Sequence, residues 1–263
     1  MSKLISNLFD LHKNICLLCG KDIFDQQNFC DECKKQIFFN DKKTCKICGV
    51  EIYGDQSVCL RCGKDVPIFD KAISPINYEG RIMGLVKNFK YGNARYLAKV
   101  FSKYMVDKFV ASNLTVDVVV PVPMTQKALQ KRGYNQAELL AKQVCLDLNL
   151  PLDTTNLVKV VDTIQQEKLS MSKRKENLQK AFDIVDKNAF CGKRVLVIDD
   201  VKTTGTTLNR IAKLLKKYKA KEVYGLTAFS VREKIRVSVD KKEPKVGWLT
   251  KIFTKLKKST KKH

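Results

Sequence analysis

Residues 194–208 read RVLVIDDVKTTGTTL, and they place two kinds of chemical grip side by side. Asp199 and Asp200 are adjacent carboxylates, which accept from sugar hydroxyls or hold a hydrated divalent cation. Lys202, Thr203, Thr204, Gly205, Thr206 and Thr207 follow. A Thr/Gly loop that opens a helix offers hydroxyls and unpaired backbone N–H groups to an anion, and a glycine lets the backbone come close to it. Carboxylates for hydroxyls beside amides for phosphate suit a phosphorylated sugar. The plainer alternative is a strand ended by solvated aspartates and a turn that caps a helix, since Thr and Asp are ordinary N-cap residues. A Walker-type nucleotide site is excluded, because no Gly-Lys pair (at Gly20, Gly63 or Gly192) is followed by Ser or Thr. A receiver domain would begin with its acidic pair, whereas this pair lies about sixty residues from the end.

The elements that must carry these residues follow from the flanking pattern. Val195, Leu196, Val197 and Ile198 form a continuous apolar, largely β-branched run, as in a strand buried on both faces of a parallel sheet. Leu208, Ile211, Leu214, Leu215 and Tyr218 recur at helical spacing. Ligands of open α/β sheets lie beyond the carboxyl ends of strands, where Asp199 and Asp200 fall.

A second chemistry occupies the N-terminal quarter. Cys16 and Cys19, Cys30 and Cys33, Cys45 and Cys48, Cys59 and Cys62 form four C-x-x-C pairs, and the last two pairs repeat the first two at an offset of 29 residues. Each turn can put two thiolates on one metal, so eight cysteines suit two closed, structural zinc ions. Sequential pairing makes each half of the duplication self-sufficient; interleaved pairing stays open. A redox pair lacks strand-helix context here, and a disulfide framework conflicts with a reducing compartment. Cys145 and Cys191 fall outside this arithmetic and are expected as small core residues.

The chain has 263 residues, enough for a medium domain and a small one, and its 44% apolar share is that of a globular protein. The net charge of +23 implies attraction to nucleic acid, acidic membrane or phosphorylated ligands, or else a lysine-rich composition in general. The first residues lack the apolar core of a signal peptide and no 18-residue apolar run occurs, so a cytoplasmic location is expected.

Along the chain, residues 1–13 could form a short helix and 64–70 read as a linker. An α/β alternation follows: strands at 72–78, 116–120, 157–161 and 223–229, and helices at 81–90, 94–111, 125–131 and 136–148. Such alternation implies a mainly parallel sheet flanked by helices. Residues 163–182 are polar and basic. The tail, 241–263, carries nine Lys and one Glu around Trp248, Leu249, Ile252, Phe253 and Leu256, and reads as a basic amphipathic helix for an anionic membrane or polyanion, or as a charged disordered tail. Boundaries are expected at 1–66 for the N-terminal segment and Cys-rich domain, 67–235 for the α/β domain and 236–263 for the tail.

VLVIDDVKTTGTTL resembles the phosphoribosyl pyrophosphate (PRPP) motif of type I phosphoribosyltransferases. Asn88-Phe-Lys-Tyr-Gly92, Val120-Pro-Val-Pro123 and Arg132-Gly-Tyr-Asn-Gln-Ala-Glu-Leu-Leu140 resemble the ComF branch (GntX-like), which joins a zinc ribbon to such a domain. The resemblance implies a type I phosphoribosyltransferase fold with a small N-terminal double zinc ribbon, PRPP with magnesium as ligand, and pentosyl transfer. Asp199 and Asp200 would take the ribose hydroxyls, and Lys202 with Thr203–Thr207 the 5′-phosphate. Lys131 and Arg132 would neutralise pyrophosphate, with Lys90 on a basic turn nearby. Asn135 and Gln136, with Glu138, would order the loop or cap the next helix. Residues 163–182 match a mobile cover in which Gln166, Arg174 and Asn177 recur. The resemblance also implies a link to competence machinery and DNA uptake, consistent with single-stranded DNA as a partner; a non-catalytic regulator that senses PRPP is the alternative.

Overall fold

The computed structural model describes residues 14–23, 27–160 and 181–232. The N-terminal helix expected over 1–13, the cover with Gln166, Arg174 and Asn177, and the basic tail lie outside the described residues. The chain divides into units of Met1–Glu233 and Lys234–His263, and the described residues all belong to the first.

The 29-residue duplication is visible as two ribbons of similar build. In the first, β1 (Asn14–Ile15) and β2 (Asp22–Ile23) pair antiparallel around the Cys16–Cys19 turn, and helix α1 (Asp31–Lys34) starts directly after Cys30. In the second, a Thr44–Glu51 bridge closes the Cys45–Cys48 turn, and α2 (Leu60–Lys64) starts after Cys59. Gly49 is irreplaceable in this docking. Its φ is +66°, and a Cβ there would sit 2.2 Å from the Ala72 carbonyl oxygen. The Ala72 amide in turn donates to Ile47 O at 2.7 Å, so the second ribbon is laced to the first strand of the sheet.

That sheet is wholly parallel. β3 (Lys71–Ile73) and β4 (Ile76–Asn77) are followed by α3 (Ile82–Tyr91) and α4 (Leu97–Val110). β5 (Val118–Pro121), α5 (Gln126–Arg132) and α6 (Gln136–Leu148) come next. The short strands β6 (Leu157–Lys159) and β7 (Phe182–Ile184) form a separate antiparallel pair. β8 (Arg194–Lys202), α7 (Thr206–Lys217) and β9 (Glu222–Ser230) complete the series. Strand order is β3-β9-β8-β5, with β4 also on β9. Among the described residues the last two strands in sequence are therefore central, and both are buried almost throughout, as their apolar runs require.

Alternation along β8 sends side chains to two cores. Leu196 and Ile198 pack with Phe101, Leu140 and Val144 of α4 and α6, while Val195 and Val197 pack with Leu208, Ile211 and Leu215 of α7. The ribbons divide the same way: Cys16 and Cys33 belong to the first core, and Cys45, Cys48, Cys59 and Cys62 to the second.

Several expected elements are placed differently. The strand expected over 72–78 breaks into β3 and β4 around Ser74 and Pro75, where proline removes a ladder donor. The central strand runs on through Asp199, Asp200 and Lys202, because β9 continues to pair with it as far as Ser230. The expected linker is docked: Phe69 is buried, and Asp70 accepts from Val223 N at 2.7 Å and pairs with Lys216 at 2.8 Å. Cys145 is a core residue as expected, but Cys191 is exposed, since the neighbouring Phe190 fills the core at that turn.

Candidate functional site

At the carboxyl end of β8, Asp199 and Asp200 open onto a cavity of about 260 Å³. Lys90, Arg132, Lys159 and Arg210 also line it, so four cations and two acids share one concave surface. Lys90 Nζ lies 3.0 Å from Asp200 Oδ2. The Asp200 amide donates to Asp199 Oδ1 at 2.8 Å, and the Val201 amide to Asp200 Oδ1 at 2.7 Å. Burial pushes the Asp199 carboxyl up to about 8, and the adjacent Asp200 charge adds to this against the Lys90 ammonium. Asp199 therefore holds a proton at neutral pH that a cation or a donor-rich ligand must displace.

The phosphate-type loop adjoins the pair. Asp199, Lys202 and Thr203–Thr207 surround a smaller cradle of about 40 Å³. Gly205 is in the left-handed region (φ 80°, ψ 5°) and precedes α7 without supplying a side-chain cap. No side chain caps the helix, so the α7 amides that follow Thr206 face the loop where an anion would sit. Thr204 and Thr206 hydroxyls lie 2.7 Å apart, and the Thr206 amide donates to Thr204 Oγ1 at 3.3 Å, which pre-shapes the loop.

The second ribbon reaches the same loop from the other side. Arg61 Nη1 donates to Thr204 O at 3.3 Å, and the Ile68 amide to Asn209 Oδ1 at 2.5 Å. A cavity of about 350 Å³ lies between Cys48, Cys59 and Cys62 and the loop residues Lys202–Thr206. Burial lowers the Lys202 ammonium, which faces those cysteines. The first ribbon braces the opposite wall: Arg81, at the start of α3, donates to Leu18 O at 2.7 Å and reaches Cys33 Sγ at 3.7 Å. Lys90 lies at the other end of that helix.

The resembled stretches converge in space. Tyr134 Oη and Gln136 Nε2 both donate to Phe89 O, at 2.5 and 3.2 Å, fixing the turn that carries Lys90. Gln136 Oε1 accepts from Arg132 Nη1 at 2.8 Å. Asn135 caps α6 by accepting from Ala137 N at 3.1 Å and donates to Val122 O at 3.0 Å. Asn135 and Gln136 thus order the loop, and Glu138 pairs with Lys142 on the helix surface. Arg132 lines the cavity, whereas Lys131 is exposed and does not line it. Lys159 and Arg210 were missed in the sequence. Arg210 sits one turn after Thr206, so helical spacing could have found it, while Lys159 lies on β6, inside the strand expected over 157–161, whose pairing with β7 the pattern did not reveal.

The eight cysteines gather as Cys16, Cys19, Cys30, Cys33 and as Cys45, Cys48, Cys59, Cys62, with the four sulfurs of each group within 4.8 Å of one another. Pairing is thus sequential. Sulfurs at the corners of a zinc tetrahedron lie about 3.8 Å apart, given Zn–S near 2.3 Å; Cys19–Cys30 and Cys48–Cys59 are 3.8 and 3.6 Å apart. Backbone amides aim at the sulfurs: Cys30 N to Cys16 at 3.4 Å, Cys48 N to Cys45 at 3.5 Å and Cys62 N to Cys59 at 3.4 Å. Burial pushes thiols up, Cys33 to about 12 and Cys48 to about 11, yet amides bring Cys16 to about 6 and Cys45 to about 7 despite it. Such a set cannot ionise together without a central cation, which is the donor set of a structural zinc.

Two family models match the chain: the phosphoribosyl transferase domain over residues 109–248 and the double zinc ribbon domain over residues 11–63. The chain belongs to the phosphoribosyltransferase domain family, with two four-cysteine ribbons at its N-terminal side. Within that class it is a member of the ComF family. Competence protein F of Haemophilus influenzae (strain ATCC 51907 / DSM 11121 / KW20 / Rd) is 37% identical over 164 residues, 60% of this chain and 71% of that protein. DNA utilization protein YhgH of Escherichia coli (strain K12) is 27% identical over 154 residues, 57% of this chain and 67% of that one. Competence protein ComFC of Bacillus subtilis (strain 168) is 36% identical over 135 residues, and the chain spans about half of its length, 48%. Among solved structures, the glutamine PRPP amidotransferase from B. subtilis complexed with ADP and GMP aligns at 19% identity with a TM-score of 0.40, covering 54% of this chain and 30% of that one, a likeness too loose to argue from. Among the described residues no helix is long and apolar enough to cross a membrane.

Proposed function

We propose that the chain binds PRPP together with magnesium and transfers, or senses, its phosphoribosyl group. One observation carries this: the cavity of the acidic pair, whose other charged groups are Lys90, Arg132, Lys159 and Arg210, adjoins the Thr/Gly cradle, Asp199 and Thr207 lining both. A sugar esterified with phosphate at one end and pyrophosphate at the other needs that distribution. In this reading Asp199 and Asp200 accept from the ribose 2′- and 3′-hydroxyls, and Thr203–Thr207 donate to the 5′-phosphate. Lys90 and Arg132 face the pyrophosphate and stabilise its charge as the bond to the anomeric carbon breaks. Asn135 and Gln136 position rather than react. Asp199 and Asp200 are the groups that would hold magnesium, which supplies charge neutralisation to the pyrophosphate when bound. Positioning and charge stabilisation suffice for this transfer, so the lack of an evident general base does not argue against catalysis.

Calorimetric titration with PRPP and magnesium tests the site. Asp200→Asn removes a charged hydrogen bond worth about 1.5–3 kcal/mol, so affinity should fall roughly ten- to hundredfold while zinc content is kept. No binding by the parent, or equal binding by the variant, refutes the assignment. Pyrophosphate release with candidate acceptors separates enzyme from sensor.

A second reading is favoured by the net charge of +23 and by relatives named for competence and DNA utilization. In it the protein acts in DNA uptake by binding single-stranded DNA, with PRPP as effector or co-substrate. The basic tail is proposed to add contact with polyanion or anionic membrane. Reduced cysteines in metal centres suit a cytoplasmic setting.

A further inference from the structure

The stretches 80–106 and 118–137 contain no Asp or Glu. At the chain's overall frequency of 27 acidic residues in 263, these 47 residues would carry about five. The same stretches hold nine Lys and Arg. The fold brings them together: the Arg132 guanidinium lies over the Tyr91 ring at 5.0 Å, Arg95 lies over Tyr134 at 4.8 Å, and Arg95 Nη2 donates to Gly133 O at 3.3 Å. Two large aromatic rings stand out in water on this face, Tyr91 at 71% and Tyr96 at 61% exposure. Helical spacing adds Lys87 one turn before Tyr91 and Lys99 close to Tyr96.

We infer that this acid-free face, formed by the end of α3, the start of α4 and the turn after α5, is a binding surface for single-stranded nucleic acid. Tyr91 and Tyr96 stack on unpaired bases, and Lys87, Arg95 and Lys99 follow the phosphates. Exposed aromatic rings set among cations, with no carboxylate to repel the backbone, are what sequence-tolerant strand binding requires. A duplex hides its base faces and gains nothing from the tyrosines. An anionic membrane would use the lysines and gain no base stacking, so binding to phosphatidylserine vesicles is the competing outcome of the test. Arg132 also lines the cavity of the acidic pair, so a strand on this face passes its mouth. The inference rests on the nucleic-acid reading and stands apart from the PRPP reading.

The test is fluorescence anisotropy of a labelled oligothymidylate with the full chain across a salt series. Tyr91→Ala should weaken binding roughly tenfold, and Tyr91→Ala with Tyr96→Ala roughly hundredfold. Tyr91→Phe, which keeps the ring, should bind like the parent. Lys87→Ala with Lys99→Ala should reduce the salt slope by about 1.4, at about 0.7 for each phosphate contact on a single strand. Lys213→Ala with Lys217→Ala, an equal charge change on α7, is the control and should leave the tyrosine effect intact. Zinc content and Tm should be unchanged in every patch variant, which reports that the fold is retained. No oligothymidylate binding by the parent overturns the inference and leaves the PRPP site untouched. It is equally overturned if the tyrosine variants bind like the parent, if the control loses as much as the patch variants, or if the patch variants lose only binding to phosphatidylserine vesicles.

Discussion

Asp199 gives the sharpest test of the site because its proton is coupled to ligand binding. Its carboxyl is pushed up to about 8, chiefly by burial and then by Asp200, with Lys90 opposing. Below that pH the group is neutral, and a ligand that needs a carboxylate must expel the proton. With a midpoint near 8, the ionised fraction is about one eleventh at pH 7 and about ten elevenths at pH 9, a difference of roughly tenfold or about 1.4 kcal/mol. Affinity for PRPP with magnesium should therefore rise about tenfold from pH 7 to pH 9, with close to one proton released per binding event at pH 7. Calorimetry in two buffers of different ionisation enthalpy measures both. Asp199→Asn should bind more weakly and lose this slope, which separates the side chain from the ligand's own titration. Lys90→Met removes the opposing cation and should move the midpoint upward. Without ligand the sign also appears in stability. A carboxyl raised above its unfolded value contributes stability that is full below about 4 and is lost as pH climbs through about 8. Asp199→Asn should thus raise Tm over the parent at pH 8 and leave it nearly unchanged at pH 4. A flat affinity from pH 7 to 9, or the same slope in Asp199→Asn, refutes the reasoning.

Elemental analysis should find two zinc ions per chain, and Cys45→Ser with Cys62→Ser should remove one; retention of both would sink the assignment of four thiolates to each ion. Arg61→Ala frees the Thr204 carbonyl held at 3.3 Å and should weaken PRPP severalfold with zinc content unchanged, as calorimetry and metal analysis together would show. Gly205→Ala keeps ordinary contact with Phe69 at 3.7 Å, so its cost of about 1 kcal/mol comes from φ +80° and should appear in both Tm and phosphate affinity. Gly49→Ala should be more damaging to thermal stability, since its Cβ meets the Ala72 carbonyl at 2.2 Å and must unseat the second ribbon; a Tm equal to the parent's would contradict the docking.

Much of the site could be read from residue type because its chemistry is local in sequence. Asp199 to Thr207 are consecutive, and both the strand before and the helix after them have strong periodicity. The cysteine turns were legible for the same reason, each C-x-x-C being a complete two-ligand unit. What escaped was non-local. Nothing in the sequence near Arg61 says that it reaches Thr204, and Lys159 depends on a two-strand pair whose second strand follows a polar stretch. The break at Pro75 and the docked segment before β3 were misread because a short apolar run and a proline look alike in a strand and in a linker. Cys191 was misplaced because cysteine is small and apolar enough for either environment, and Phe190 beside it took the buried position.

The strand order carries a consequence for how the chain is made. Among the described strands β3 pairs with β9 and β5 with β8, Val119 of β5 adding one bridge to Leu152 on its other side, so the central pair that joins them is also the last of these strands to leave the ribosome. Until residue 230 emerges, the main sheet cannot close, and the apolar edge of Val118–Val120 waits without its strand partner. Only the ribbons can settle earlier, each complete within about twenty residues and one metal ion. Synthesis thus runs in two stages, a quick metal-capped head and a late, all-at-once closure of long sequence separation, the kind of topology that folds slowly and exposes sticky strands meanwhile. A nascent chain stalled before β8 should show protease-resistant ribbons and a fully digestible remainder.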